Sequence, residues 1–168
     1  LGARAFVAQH PAADKIGLVL NFEARGSGGP SYTLMETNQG NKAMVEAFAS
    51  ANIQFPAANS MMYSIYKMLP NDTDLTVFRE EGNISGFNFA FIDDHFVYHT
   101  AADTVERLDP ETLNPQVDYL TALLAQLMDS DLSQLQSDED HVYFNVANLA
   151  VYHYPFSFVL PMALLVAF

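Results

Sequence analysis

The stretch LVLNFEARGSGGPS, Leu18 to Ser31, decides how the chain is read. Its apolar run starts at Ile16 and continues to Phe22 without the alternation of a half-exposed strand. That pattern predicts a strand buried on both faces. Glu23 closes the run, and the turn-rich segment RGSGGPS (25–31) predicts a loop. A carboxylate at such a position is costly to bury unless it is paired or bound to a cation. For Glu23 the residues leave three roles open: an ion pair with Arg25, a cap on backbone amides, or a cation ligand.

On either side, helical and strand patterns alternate. ARAFVAQHP (3–11) has helical spacing and stops at Pro11. YTLMET (32–37) predicts a second short strand. NKAMVEAFASAN (41–52) predicts a helix with Met44, Val45 and Phe48 inward. NSMMYSIYKML (59–69) predicts another, capped by Asn59 or Ser60 and ending before Pro70. NDTDLTVFREEG (71–82) supplies cap residues, a short helix and a glycine stop. ISGFNFAFID (84–93) predicts a strand with Phe87, Phe89 and Phe91 on one face, followed by a loop carrying Tyr98-His99-Thr100. Asp109 caps a helix with Pro110 at its first position. That helix is expected to run to about Met128, with Leu113, Val117, Leu120, Leu124 and Met128 along its inward stripe. DSDLSQLQSDED (129–140) reads as an acidic linker.

Strands alternating with helices indicate an α/β layered domain. In such sheets ligands bind beyond the carboxyl ends of the strands. Glu23 and the loop holding His99 share one rim if their strands are parallel neighbours.

The chain has 168 residues, enough for one domain with its own core, and half of them are apolar. There is no cysteine, so disulfides and thiolate metal sites are excluded. Acidity is concentrated late: residues 80–168 hold one basic residue, Arg107, against fourteen acidic ones, and the net charge is −13. Such a surface repels phosphate backbones and excludes nucleic acid as a partner. It accommodates metal ions and protonated amino termini. From His141 to Phe168 there is no Asp, Glu, Lys or Arg, and the last fifteen residues read YPFSFVLPMALLVAF. Fifteen residues are too few to span a bilayer but match the start of a transmembrane helix; a buried terminal strand or helix is the other possibility. The expected organisation is a folded α/β region at 1–130, an acidic linker and juxtamembrane segment at 131–153, and the start of a transmembrane helix at 154–168.

Few residues can carry chemistry. His99, 76 positions from Glu23, offers an imidazole at that rim or is simply a hydrogen-bonded structural residue, and one Glu with one His is by itself no metal motif. Zinc takes three or four N, O or S donors, and His95 and Asp94 are the nearby candidates. Asp103, four residues after His99, is suited to orient it or to cap the turn. Tyr98 offers a phenol to a developing oxyanion, or simply packs.

Four collinear segments, LVLNFEARGSGGPSYTLMET, LPNDTDLTVF, GFNFAFID and YHTAADTVERLDPETL, together resemble the zinc-dependent aminopeptidase family of metallopeptidases. Leu1 to about Leu127 is covered, and the membrane-embedded branch of endoplasmic-reticulum and vacuolar enzymes is the most similar. The resemblance implies a three-layer α/β sandwich with a mixed central sheet, incomplete at its amino end. It implies two zinc ions sharing a bridging water. By position, Glu23 looks like the strand-end ligand of one zinc and His99 like the last ligand of the other. Tyr98 looks like the tyrosine that hydrogen-bonds the tetrahedral intermediate, with Arg25 and Asp103 behind these groups. The family's upstream His-x-Asp and Glu-Glu ligand motifs are absent, and the pair Glu80–Glu81 stands in the wrong place. The expectation is therefore a fragment that begins just after the catalytic glutamate and is inactive alone.

For the whole protein the resemblance implies hydrolysis of N-terminal peptide bonds in substrates with a free amino terminus. It also implies membrane attachment through the C-terminal segment. The peptidase domain would be extracytoplasmic in a bacterial inner membrane, or lumenal in a eukaryote. Asn71–Thr73 and Asn83–Ser85 are glycosylation sequons. Two other classes share these features: a single-zinc transferase of the glutaminyl-cyclase type, and a non-catalytic extracytoplasmic module that keeps the fold.

Overall fold

The computed structural model of the chain describes residues 1–70, 72–147 and 149–167; the sequon asparagine Asn71 and the terminal Phe168 lie outside them. Helix α1 (Gly2–Gln9) leads into strand β1 (Val19–Ala24) and, after a three-residue connection, into β2 (Gly28–Glu36). Helices α2 (Lys42–Ser50), α3 (Ser60–Met68) and α4 (Asp74–Gly82) precede β3 (Gly86–Asp93). A 3-10 turn at Pro110–Thr112 then runs into α5 (Leu113–Leu127), and a hairpin of β4 (His141–Val146) and β5 (Ala150–Pro155) is followed by α6 (Val159–Ala167).

The sheet order is β1-β3-β2, with β3 parallel to β1 and antiparallel to β2. The mixed sheet agrees with the α/β expectation. Consecutive strands β1 and β2 do not pair; β3 enters between them. Their connection arches over the end of β3, where the Arg25 and Ser27 amides donate to the Phe91 and Asp93 carbonyls at 2.9 Å each. Gly26 is required there because a Cβ would collide with the Asp93 and Ile92 carbonyls. The glycine-rich stretch is thus a tight crossing that runs straight into a strand: Gly28 to Pro30, expected in a loop, belong to β2.

Alternation along β3 splits the interior into two faces. Phe87, Phe89 and Phe91 are buried on one of them, as their spacing predicts. Phe89 stacks on Phe22 at 4.8 Å and meets Tyr119 of α5 at 5.4 Å, while Phe87 meets Phe48 of α2 at 5.9 Å. Met44, Val45 and Phe48 turn inward as expected. Asn88, Ala90 and Ile92 face the other way, toward α3 and α4. Asn59 caps α3 by accepting from the Met62 amide at 2.8 Å. Helix α4 includes Gly82 and stops one residue later, at Asn83 in the left-handed conformation (φ 53).

Further expectations change. Strand β1 is half-buried and, among the described strands, pairs on one side only. Its apolar run fits because Leu20 and Phe22 pack on the core beneath the sheet, but the far edge has no partner once β2 has crossed over. On α5 the stripe Leu113, Val117, Leu120, Leu124 and Met128 is exposed, and Tyr119, Leu123 and Leu127 face the core. Both stripes are apolar, so hydrophobic spacing could not choose between them. Within the segment expected as a linker, Leu132 and Leu135 pack against the core and Tyr143 and Val151 lie within it. The hairpin is held by the Asn41 side chain, which accepts from the His141 amide at 2.7 Å and donates to its carbonyl at 3.1 Å. Among the described residues no helix is long and apolar enough to cross a membrane; α6 has 9 residues.

Tyr119 selects the α5 face. Its hydroxyl accepts from the Ala57 amide and donates to the Ser31 carbonyl, both at 2.9 Å, and burial pushes the phenol up to about 12. Tyr119→Phe keeps the ring and leaves the Ala57 amide without its acceptor. Urea unfolding should show a loss of about 1–3 kcal/mol, with faster hydrogen exchange at Ala57; an unchanged midpoint would show that the hydroxyl does not hold the segment.

Candidate functional site

The carboxyl ends of β1 and β3 lie side by side because the strands are parallel, with Glu23 paired to Ala90. Glu23 therefore shares the rim with the loop that follows β3. On this face of the sheet polar side chains form a continuous row. The Asn21 amide donates to Glu23 Oε1 at 3.2 Å and to Asn88 Oδ1 at 3.0 Å. Asn88 donates in turn to Glu36 Oε1 at 3.4 Å, and Arg79 Nε reaches Glu36 Oε2 at 3.3 Å. Buried polar groups need such partners, and here each supplies the next. Sequence reasoning singled out Glu23 and missed the rest; the signal was Asn21 and Asn88, polar residues at matched positions in two apolar strands.

The loop after β3 is shaped by two residues in the left-handed region, Asp94 and His99 (φ 57 each), on either side of a 3-10 turn at His95–Val97. Left-handed backbone is uncommon outside glycine. Here it brings successive rings together: Tyr98 and His99 stack at 3.9 Å between centroids. Asp94 is a clamp. Its carboxylate accepts from Ser27 Oγ at 2.8 Å and from Arg107 Nη2 at 3.2 Å. The Ser27 bond, then the Arg107 bond, hold its carboxyl below the usual range. Arg107, the lone basic residue of the acidic half, thus ties this loop to the β1–β2 crossing.

Asp103 is exposed, and its backbone amide bonds the Thr100 carbonyl at 3.1 Å. Thr100 closes the turn through its hydroxyl, which donates to the Val97 carbonyl at 2.7 Å and accepts from the Ala102 amide at 3.2 Å. Arg25 makes no ion pair with Glu23 among the described residues; its guanidinium lies 5.6 Å from the Tyr66 ring centre.

Arg25 and Tyr98 meet at a cavity of about 370 Å³ between the sheet and α3. Leu34, Met62, Ile65, Ala90 and Ile92 make it largely apolar, and His95 lies at its wall. Its size suits a single side chain or small ligand. Among the described residues no three His, Asp or Glu side chains converge as a metal-binding group. Glu23 and His99 offer oxygen and nitrogen donors of the kind zinc takes, but they do not complete a site, which needs at least three protein donors.

Glu36, at the far end of the polar row, is 1% exposed. Burial raises its carboxyl above the ordinary value, and the bond to Arg79 pulls it only part of the way back. A carboxyl raised in the folded state favours folding while protonated; this contribution is complete at low pH and is lost as pH climbs through the raised value. Glu36→Gln removes that titration. Relative to the parent chain, the variant should gain stability as pH rises from about 4 toward neutrality, read by urea unfolding at successive pH values; a flat difference would contradict the assignment.

No solved structure matches the chain. Among curated proteins it is 34% identical over 155 residues to endoplasmic reticulum metallopeptidase 1 of Rattus norvegicus and likewise to that of Homo sapiens. It is 25% identical over 146 residues to the vacuolar membrane protease of Debaryomyces hansenii. These alignments cover 89%, 89% and 83% of the chain but only 17%, 17% and 14% of the relatives' lengths. Residues 1–124 match the model of peptidase family M28, and the chain belongs to that family.

Proposed function

We propose that the chain is the C-terminal part of the peptidase domain of a membrane-attached, two-zinc metallo-aminopeptidase, one portion of a three-layer sandwich. The observation that supports this reading is the parallel pairing of β1 and β3, with Glu23 ending one strand and the Tyr98–His99 loop following the other. Family membership supplies the metallopeptidase chemistry. The relatives named for the endoplasmic reticulum and the vacuolar membrane support attachment to a membrane.

In this reading Glu23 and His99 each contribute one donor to a zinc ion. The remaining donors and the general base come from elsewhere in a longer polypeptide, so the 168 residues alone are inactive. Zinc, when bound, supplies Lewis acidity and makes hydroxide available near neutral pH. Asn21 fixes the Glu23 carboxylate through its side-chain amide. The left-handed turn at His99 holds the imidazole out toward solvent, and the ring of Tyr98 braces it. The Tyr98 phenol donates a hydrogen bond to the scissile carbonyl oxygen as charge develops there. The acidic surface favours a protonated amino terminus.

Metal content of the longer polypeptide tests this. Two zinc ions per chain are expected, with fewer after Glu23→Ala or His99→Ala. Tyr98→Phe should retain both ions and lower kcat by about 10²–10³-fold. Full zinc occupancy in either alanine variant would sink the ligand assignment.

The cavity beside Tyr98 accepts the side chain of the substrate's N-terminal residue, and its largely apolar lining favours leucine, methionine or phenylalanine over small side chains. Met62→Trp, which narrows it, should lower kcat/KM for leucyl substrates by about tenfold or more, the scale set by loss of one or two buried methylenes. Alanyl substrates should be spared. An equal loss for both would locate the side-chain pocket elsewhere.

A further inference from the structure

The β4–β5 hairpin presents two unlike faces. Inward, Tyr143 and Val151 enter the core, and the His141 and His153 rings meet Nδ1 to Nδ1 at 2.7 Å, one donating and the other accepting. Outward, the register pairs Val142 with Tyr154, Phe144 with Tyr152, and Val146 with Ala150. No outward residue is charged. A ribbon packed on one side against its own domain ordinarily turns polar residues to water on the other. Here Phe144 and Tyr152 are 39% and 54% exposed. They stack at 6.2 Å, and Tyr154 meets Phe144 edge-on at 6.4 Å. The aromatic surface is therefore preassembled.

It is also continuous with an apolar extension. β5 passes through Pro155 and the turn Phe156–Phe158 into α6, whose Leu160, Met162, Leu165 and Val166 are all exposed. A helix apolar all round has no polar side to turn to water. Tyrosine rings suit the boundary between headgroups and acyl chains, with the ring in the apolar zone and the hydroxyl in the wet one. The charge distribution selects the type of bilayer. The segment entering β4 carries Asp129, Asp131, Asp138, Glu139 and Asp140, and residues 108–168 hold no Lys or Arg. An anionic surface would repel it.

We propose that the outer face of the β4–β5 hairpin docks on the interface of a zwitterionic bilayer. The docked hairpin fixes how the peptidase rim sits above the membrane. This inference rests on the membrane attachment proposed above and is independent of the zinc chemistry.

The chain has no tryptophan, so single substitutions give unambiguous reporters. Phe144→Trp and Tyr152→Trp probe the hairpin, Leu165→Trp probes α6, and Phe55→Trp, exposed on the body, is the control. The full 168-residue chain is mixed with phosphatidylcholine vesicles carrying brominated acyl chains. The hairpin and α6 reporters should shift to shorter wavelength and lose emission, while the control does neither. Quenching of Leu165→Trp alone would overturn hairpin docking and leave attachment standing; quenching of neither would overturn both. A blue shift of Tyr152→Trp that needs no lipid and grows with protein concentration would assign the face to a second copy of the chain instead. Tighter binding when phosphatidylglycerol replaces part of the phosphatidylcholine would overturn the choice of a zwitterionic surface.

Discussion

The buried amide of Asn88 is the constraint on which the sheet depends. It sits in the central strand, fully buried, and would be costly there without partners. Its oxygen is satisfied by Asn21 of β1 and its nitrogen by Glu36 of β2. One side chain therefore specifies both neighbours of β3 and their register, since a slip by one residue would turn each partner to the opposite face. The row ends on one side at Arg79 and on the other at Glu23. Glu23 is thus the end of the row that reaches the carboxyl rim of the sheet.

The rim is organised by two crossings that hold each other. The β1–β2 arch passes over the end of β3, and the loop leaving β3 turns back against the arch through Asp94, Ser27 and Arg107. The Asp109 amide adds a bond to the Ser27 carbonyl at 2.8 Å. Left-handed residues are costly outside glycine, and they persist where surrounding structure over-determines them. Asp94 has such a surround. His99 is exposed, and its ring stacks on that of Tyr98.

Much of this is legible in the sequence, and the remainder is hidden for physical reasons. The phenylalanine alternation in β3, the Asn59 cap and the inward face of α2 are local signals, and they hold. Glu23 and the loop holding His99 share one rim only if their strands are parallel neighbours, a condition the sequence leaves open and the β1–β3 pairing meets. The faces of α5 cannot be told apart because two apolar stripes compete, and the choice is made by the Tyr119 hydroxyl finding backbone partners from segments 62 to 88 residues away. The loop reading of Gly28 to Pro30 fails because these residues serve a crossing that only tertiary structure reveals. The stacking of Tyr98 on His99 depends on a left-handed backbone at a non-glycine residue, which no residue type announces. The apolar C-terminal stretch carries no charge to show where packing ends and exposure begins.

The strand order has a bearing on how the chain acquires its shape during synthesis. β1 and β2 leave the ribosome before β3, yet neither can bond to the other, because the strand that joins them is β3, whose Asn88 lies 67 residues beyond Asn21. Until that strand emerges, two apolar segments wait with their backbone groups unmet. Non-local parallel pairing of this kind is slow and leaves sticky edges open in the meantime. Translation at roughly 5–20 residues per second makes that wait several seconds long, so the nascent chain passes through a vulnerable interval set by topology rather than by the strength of any contact.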